Sequence, residues 1–223
     1  MEPIYGFPET YSCRYNLPLA KYRCQRIVAH SANFFDFSEI IQEKGIRNVL
    51  LSGYFQSYNF LKNYTEKIRN EWLKVSSELL PLRNESSIVV HVRAEYPSCY
   101  FIPFEFYQIA LSIAKYDQVY ICTDNPDHPY LRNFDSYNPI IVSTRNFQDS
   151  IVRRSHDEIC ALNIDDFLFM MSFDKIIYGV STYSWWAAFL SDAKEIYAPY
   201  DDRFNYLKVD EDRYHYIPIK VGL

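Results

Sequence analysis

Short apolar runs that alternate with helical patterns constrain this chain more than any other feature. The runs predict strands at 48–54, 87–93, 118–122, 139–143, 175–180 and 195–198. Helical spacing or helix-start signals lie between them at 60–75, 103–114, from His128, at 165–173 and at 184–190. Strands that alternate with helices predict an α/β fold with a mainly parallel sheet covered on both faces.

The regular pattern begins only near residue 48, so we divide the chain of 223 residues into 1–47 and 48–223. Residues 1–33 hold three prolines and show no clear periodicity, which predicts irregular structure around a core. The composition, 48% hydrophobic and 23% charged, excludes a disordered or collagen-like chain.

Charge, cysteine and glycine usage narrow the possible functions. A net charge of -5 argues against a nucleic-acid partner. Five widely spaced cysteines without a Cys-x-x-Cys motif argue against a disulfide framework or zinc ribbon and predict a cytoplasmic protein with reduced thiols. No apolar run approaches the roughly 18 residues of a membrane helix. With only 5 glycines, a dinucleotide loop built on several glycines is nearly excluded.

The residues that follow the predicted strands are the first candidates for a site, because ligands of parallel sheets bind beyond the carboxyl ends of the strands. Arg93 ends one strand, and its guanidinium suits bidentate binding of a diphosphate. Pairing with Glu95 or another carboxylate at the sheet rim is the alternative. His91 lies two residues earlier, so its side chain shares the face of Arg93; it reads equally as a hydrogen-bonded core histidine.

Residues 175–190 predict a strand, a hydroxyl-rich turn and the start of a helix. A helix N-terminus attracts phosphate, and Ser181, Thr182 and Ser184 add hydroxyl donors. An ordinary N-cap at Thr182 or Ser184 is the alternative interpretation. Asp166 lies in the first turn of the predicted helix at 165–173. A carboxylate at this position commonly interacts with the helix dipole. Alternatively, it can recognise guanine by accepting hydrogen bonds from N1–H and the 2-amino group together.

Three blocks in order resemble glycosyltransferase family 11, the α-1,2-fucosyltransferases. Residues 53–60, GYFQSYNF, are similar to its Gly-Tyr-Trp/Phe-Gln-Ser…Tyr-Phe block, and His91-Val92-Arg93 to the start of its His-x-Arg-Arg-Gly-Asp-Tyr motif. Residues 166–190 resemble its Asp-x-x-Leu-Met…Asn-Ser-Ser-Phe-Ser-Trp-Trp-x-Ala-Trp-Leu block with matching internal spacing.

The resemblance implies a GT-B-type enzyme. Residues 1–47 would be its reduced N-terminal segment, and residues 48–223 its Rossmann-like donor-binding half. The implied reaction is inverting transfer of L-fucose from GDP-fucose to a glycan hydroxyl, without a metal or other cofactor. Arg93 would contact the β-phosphate, His91 and Asp166 would read guanine, and Ser181 and Thr182 would meet the phosphates.

Further candidates complete the predicted site. Thr123, Asp124 and Ser184 are candidate donor-binding residues, and Tyr54 and Gln56 of the first block are candidates on the acceptor side. Asp124 is also, with Glu95, a candidate general base that would deprotonate the acceptor.

Two departures from the family pattern keep alternatives open. Its Arg-Arg-Gly-Asp-Tyr becomes Arg93-Ala94-Glu95-Tyr96, so the second arginine is absent and Glu95 is the candidate catalytic carboxylate beside Arg93. The Gly-x-Gly-Asn-Gln-x-Phe-Gln-Tyr segment of the family is missing. The chain would therefore be a transferase with a minimal acceptor lobe, one module of a larger glycosyltransferase, a transferase for another GDP-hexose, or a degenerate module that binds GDP or a glycan without turnover.

Overall fold

The structure, a computed structural model, describes residues 24–29, 48–53, 57–80, 84–94, 102–142 and 165–219. β1 (Cys24–Ala29) pairs in parallel with β2 (Asn48–Gly53) as a separate two-stranded sheet. Six further strands form the main sheet: β3 (Asn84–Val92), β4 (Val119–Thr123), β5 (Ile140–Val142), β6 (Phe173–Tyr178), β7 (Glu195–Tyr200) and β8 (Tyr214–Pro218).

The main sheet is parallel throughout, in the order β5-β4-β3-β6-β7-β8. From β3 the chain winds outward through β4 and β5, then returns to the other side of β3 and winds outward through β6, β7 and β8. The winding direction therefore reverses between β3 and β6. This is the strand order of a Rossmann-type sheet with its topological switch point at β3/β6, and it confirms the predicted α/β fold with a Rossmann-like parallel sheet.

Four α-helical segments accompany the strands in the part of the chain that the structure describes. They are α1 (Thr65–Lys67, continued by a π-helical turn at Ile68–Trp72), α2 (Phe104–Ile113), α3 (165–171) and α4 (Thr182–Leu190). Residues Pro129–Tyr137 form a long 3-10 helix, and shorter 3-10 turns occur at Tyr58–Phe60, Lys62–Tyr64, Ser77–Leu79 and Asp202–Leu207. None of the helices in the described ranges has the length and apolar character needed to span a bilayer.

Both faces of the main sheet are buried, as the apolar runs predicted. Val89 and Ile176 pack against α3 and α4 on one face, while Ile88, Val90 and Ile177 pack against α2 on the other. The alternation of successive side chains within a strand produces this two-sided core. It also places His91 on the face of α3 and α4, because His91 follows Val89 by two residues.

Two arginines secure the C-terminal end of α4. Arg213 donates from its Nη atoms to the carbonyls of Phe189 at 3.0 Å and Ser191 at 2.6 Å. Arg69 donates to the same Phe189 carbonyl at 2.6 Å and pairs with Glu211 at 2.9 Å. Glu211 also pairs with Arg213 at 2.8 Å. Carbonyls at a helix end have no intrahelical donors, so these cations satisfy them and complement the helix dipole.

Some local structure differs from the sequence-based expectation. The amphipathic pattern at 60–75 folds as successive short turns, with Ile68 buried and Trp72 58% exposed. Asparagines at positions 59, 63 and 70, which have low helix propensity, account for the broken helix. β1 lies where we expected irregular structure, and β8 was not predicted because its exposed positions interrupt the apolar pattern. The boundary at residue 48 stays a prediction.

A close approach of the chain to Tyr107 explains the glycine that follows β6. A Cβ atom at Gly179 would lie 2.9 Å from the Tyr107 hydroxyl oxygen and 3.3 Å from Cγ1 of Ile102. Tyr107 is buried, and its hydroxyl donates to the His91 carbonyl at 3.5 Å. Gly179 thus lets the start of the β6–α4 loop pass beside β3.

We expect Gly179→Ala to lower the free energy of unfolding by about 1–3 kcal/mol, because the added methyl group overpacks this contact. Urea denaturation measures the loss. Tyr107→Phe removes the nearest atom, so Gly179→Ala should cost less in a Tyr107→Phe background. Equal stability of Gly179→Ala and the unsubstituted protein would contradict the close contact.

Candidate functional site

The candidate site lies at the switch point, where β3 and β6 end side by side. His91 pairs in register with Tyr178 of β6 and with Cys122 of β4. Because these strands are parallel, the residues that follow them meet at one edge of the sheet. That edge holds Arg93 after β3, Asp124 after β4, and the loop to α4 after β6. Crevices at such edges are where open α/β sheets bind ligands.

His91 is buried, with 4% of its surface exposed, between the elements that cover this face. Its ring lies 6.0 Å from the ring of Tyr183 in the first turn of α4, and Tyr183 in turn lies 5.4 Å from Phe167 of α3. The Nδ1 atom of His91 has no hydrogen-bond partner in the described part of the chain. A buried polar atom without a partner costs free energy, so Nδ1 is a candidate ligand-binding atom.

The pKa of His91 is lowered from 6.5 to about 4, chiefly by burial and to a smaller extent by the nearby Arg93 cation. The Asp124 carboxylate opposes both effects and raises this pKa. The imidazole is therefore neutral at pH 7, with one nitrogen able to donate and the other able to accept. A neutral ring of this kind suits hydrogen bonds to an uncharged group such as a base.

Arg93 forms an ion pair with Asp124 at the sheet rim, with Nε 3.3 Å from Oδ2. The other carboxylate oxygen, Oδ1, accepts from the backbone N–H of Ala94 at 2.6 Å. The Arg93 side chain is 39% exposed and that of Asp124 is 12% exposed. The rim carboxylate that pairs with Arg93 is thus Asp124, and the guanidinium remains accessible at the sheet edge.

Ser181 occupies the N-cap position of α4, so neither of the sequence-based alternatives, Thr182 and Ser184, is the N-cap residue. Its side chain makes no capping hydrogen bond. The Ser184 hydroxyl is buried and donates back to the Ser181 carbonyl at 3.2 Å, whereas Ser181 and Thr182 are only partly buried. The first-turn N–H groups of a helix have no intrahelical acceptor. The edge therefore presents backbone donors and two hydroxyls close to His91.

Asp166 lies on α3, buried to 7% exposure, while its neighbour Asp165 is exposed. The Asp166 charge raises the pKa of Cys122, after the larger effect of burial, so its carboxylate lies near the end of β4 on the face of His91. Thr123 is buried, and its Oγ1 accepts from the N–H of Asn125 at 3.3 Å. That hydrogen bond closes the turn carrying Asp124, and the donor-binding role of Thr123 stays a prediction.

Three candidates, Tyr54, Gln56 and Glu95, lie outside the described residues, so their roles stay predictions. Metal independence also stays a prediction, although no three His, Cys, Asp or Glu side chains within the described ranges are placed to hold a metal ion.

Lys208 is a cation at this edge that the sequence did not reveal. With Gly179 and Ser181 it lines a cavity of about 20 Å³, which has room for roughly one water molecule. Its ammonium lies 5.6 Å from the ring of Tyr200 and 5.5 Å from that of Tyr216. The tyrosine-rich segment around it has no clear periodicity, so only the fold brings Lys208 close to the start of α4.

No family model matches the chain, and no curated protein matches it significantly.

We expect His91 to make stability fall with pH below neutrality. The unfolded chain takes up a proton at His91 near pH 6.5, whereas the folded protein does so only near pH 4. The unfolded state therefore binds more protons between these values, and lowering the pH through this window costs roughly 3 kcal/mol. Urea denaturation at pH 7 and pH 5 should show about 2 kcal/mol of this fall, and His91→Gln should reduce it. The same pH dependence in both proteins would contradict a neutral buried His91.

Proposed function

We propose that the chain is a GDP-sugar-dependent glycosyltransferase that transfers L-fucose from GDP-fucose to a glycan hydroxyl with inversion. One observation carries the proposal: Arg93, His91 and the N-terminus of α4 lie at one edge of a Rossmann-like sheet, at its switch point, and the buried Asp166 lies on the helix that covers the same face. Each has the chemistry that the resemblance to family 11 assigns to it. The spacing of the matched blocks in the sequence and the position of their residues in the fold both support a donor site at the β3/β6 edge.

The diphosphate of the donor would lie between Arg93 and α4. Transfer breaks the bond between C1 of fucose and the β-phosphate oxygen, and the electron pair leaves with GDP. The acceptor oxygen bonds to C1 as its proton passes to a general base, for which Glu95 is the candidate. Negative charge grows on the leaving phosphate, so preorganised donors there lower the barrier. The Arg93 guanidinium and the α4 N–H groups, with the Ser181 and Thr182 hydroxyls, are such donors.

The guanine base would lie against His91 and Asp166. The Asp166 carboxylate can accept from N1–H and the 2-amino group together, a pair of donors that adenine lacks. Neutral His91 would complete the recognition through its unpartnered Nδ1. These contacts would select GDP over ADP or UDP because neither adenine nor uracil presents both of these donors to the carboxylate.

The acceptor would approach from the side of Tyr54 and Gln56. We also propose a cytoplasmic location, since the described Cys122 is a free thiol and the five cysteines are widely spaced.

Arg93→Ala should lower turnover of GDP-fucose by about 100-fold or more, because it removes a donor to the leaving phosphate. Release of GDP measures both hydrolysis and transfer to a panel of glycan acceptors. Arg132→Ala is the matched control, since Arg132 is exposed on the 3-10 helix Pro129–Tyr137. Turnover of Arg93→Ala at the unsubstituted rate would reject the role of Arg93.

Asp166→Asn should weaken GDP binding by about 10- to 100-fold, the equivalent of one hydrogen bond to a charged group. Calorimetry with GDP, ADP and UDP measures this loss and the accompanying loss of base selectivity. Asp165→Asn removes the same charge at the adjacent exposed position and should leave binding unchanged. Binding of GDP without turnover on any acceptor would instead identify a degenerate binding module, and absence of GDP binding would reject the proposal.

A further inference from the structure

Asp124 connects three parts of the candidate site. Its Oδ1 accepts from the backbone N–H of Ala94, and its Oδ2 faces the Nε of Arg93. Its charge also acts on His91, whose pKa it raises. One carboxylate on the turn after β4 therefore contacts the residues that follow β3, thirty positions earlier in the chain.

We infer that Asp124 is a positioning residue that holds Arg93 and the backbone after β3 in place for a diphosphate, and that it is not the general base. The inference rests on the proposed function, because it names how the phosphate-binding cation of that site is oriented.

The geometry of the ion pair supports positioning. The carboxylate engages Nε, whereas end-on pairing of a guanidinium with phosphate uses the two Nη atoms. The 3.3 Å ion pair at Nε lacks hydrogen-bond geometry, so it attracts the guanidinium by charge at a position away from that end-on edge. The hydrogen bond to Ala94 restrains the backbone next to Arg93. Asp124 therefore acts on both the backbone and the guanidinium group of this residue.

The same contacts argue against Asp124 as the general base. A general base must lie within hydrogen-bond reach of the acceptor hydroxyl. Oδ1 is already 2.6 Å from the Ala94 nitrogen, and the side chain as a whole is only 12% exposed. Arg93, at 39% exposure, lies on the solvent side of the pair. The carboxylate thus faces the protein, and the cation faces the ligand.

A carboxylate beside a phosphate site has two opposite expected effects. If it only adds negative charge, removing it should strengthen diphosphate binding, because like charges repel. If it positions Arg93, removing it should weaken binding. The sign of the change in affinity therefore separates the two roles.

The test uses the full chain and four variants. Asp124→Asn keeps an oxygen that accepts from Ala94 but removes the charge opposite Arg93, and Asp124→Ala removes both. Asp127→Asn is the matched control, since it removes one charge from an exposed position of the same turn. Arg93→Lys keeps a cation but lacks the Nε–H group. The signal that is lost from the nitrogen-15 NMR spectrum of this variant is therefore that of Arg93 Nε–H.

Two readouts are expected to change together. Relaxation of the Arg93 Nε–H signal, measured without ligand, should show an ordered group that becomes mobile in Asp124→Asn and stays ordered in Asp127→Asn. Calorimetry should show that inorganic pyrophosphate binds about tenfold more weakly to Asp124→Asn, the loss expected for one well-placed hydrogen bond. In an Arg93→Lys background, Asp124→Asn should produce no further loss.

The outcomes separate this inference from the proposed function. Unchanged or tighter pyrophosphate binding by Asp124→Asn would overturn the positioning role, as would an Arg93 signal with the same order in both proteins. If the unsubstituted protein binds neither pyrophosphate nor GDP, the proposed function fails. The relaxation data alone would then support the restraint of Arg93 by Asp124 or overturn it. If pyrophosphate binding weakens in Asp124→Ala but not in Asp124→Asn, the effect comes from the hydrogen bond to the Ala94 backbone. That result would overturn the inference that the Asp124 charge orients Arg93.

Discussion

The pairing of β3 with β6 is the constraint on which the rest of this structure depends. These strands lie side by side although 80 residues separate Val92, which ends β3, from Phe173, which begins β6. The chain crosses the sheet between β5 and β6 to make this pairing. Their parallel direction brings the end of β3 and the start of α4 to one edge. Burial on both faces prevents a shift of one residue, which would move every side chain to the opposite face.

This pairing leaves charged and polar groups close together at a buried edge. His91 stays neutral there because burial lowers its pKa by more than the Asp124 carboxylate raises it, and Asp124 compensates part of the charge of Arg93. The far end of α4 is held by Arg69 and Arg213. The helix N-terminus therefore faces the site from a supported helix. Preorganised donors of this kind need little rearrangement when a charged ligand binds.

Much of the architecture was predictable, because buried parallel strands have continuous apolar sequences. The six predicted strands include β2 to β7, and the predicted helix at 184–190 lies within α4. The strand order was not predictable, since apolar runs do not specify their neighbours. β8 alternates buried and exposed residues and lacks a continuous run. The segment at 60–75 has a helical apolar pattern, yet local asparagines break the helix.

The candidate site was predictable in part for a related reason. Residues at strand ends can be read from the sequence, and His91, Arg93 and Ser181 indeed meet at one edge. The ion pair of Arg93 with Asp124 could not be predicted from the sequence, because Asp124 follows a different strand, β4. Lys208 could not be predicted because its position depends on a long-range contact next to it in the chain. The indole N–H of Trp185 donates to the Leu207 carbonyl at 2.8 Å. Long-range contacts of this type leave no local pattern.

A crystal structure of the protein with GDP tests the central claim most directly. The account predicts guanine against His91 and Asp166, with the diphosphate between Arg93 and the first turn of α4. Electron density for the nucleotide at another edge of the sheet, or a diphosphate without contact to Arg93, would contradict it.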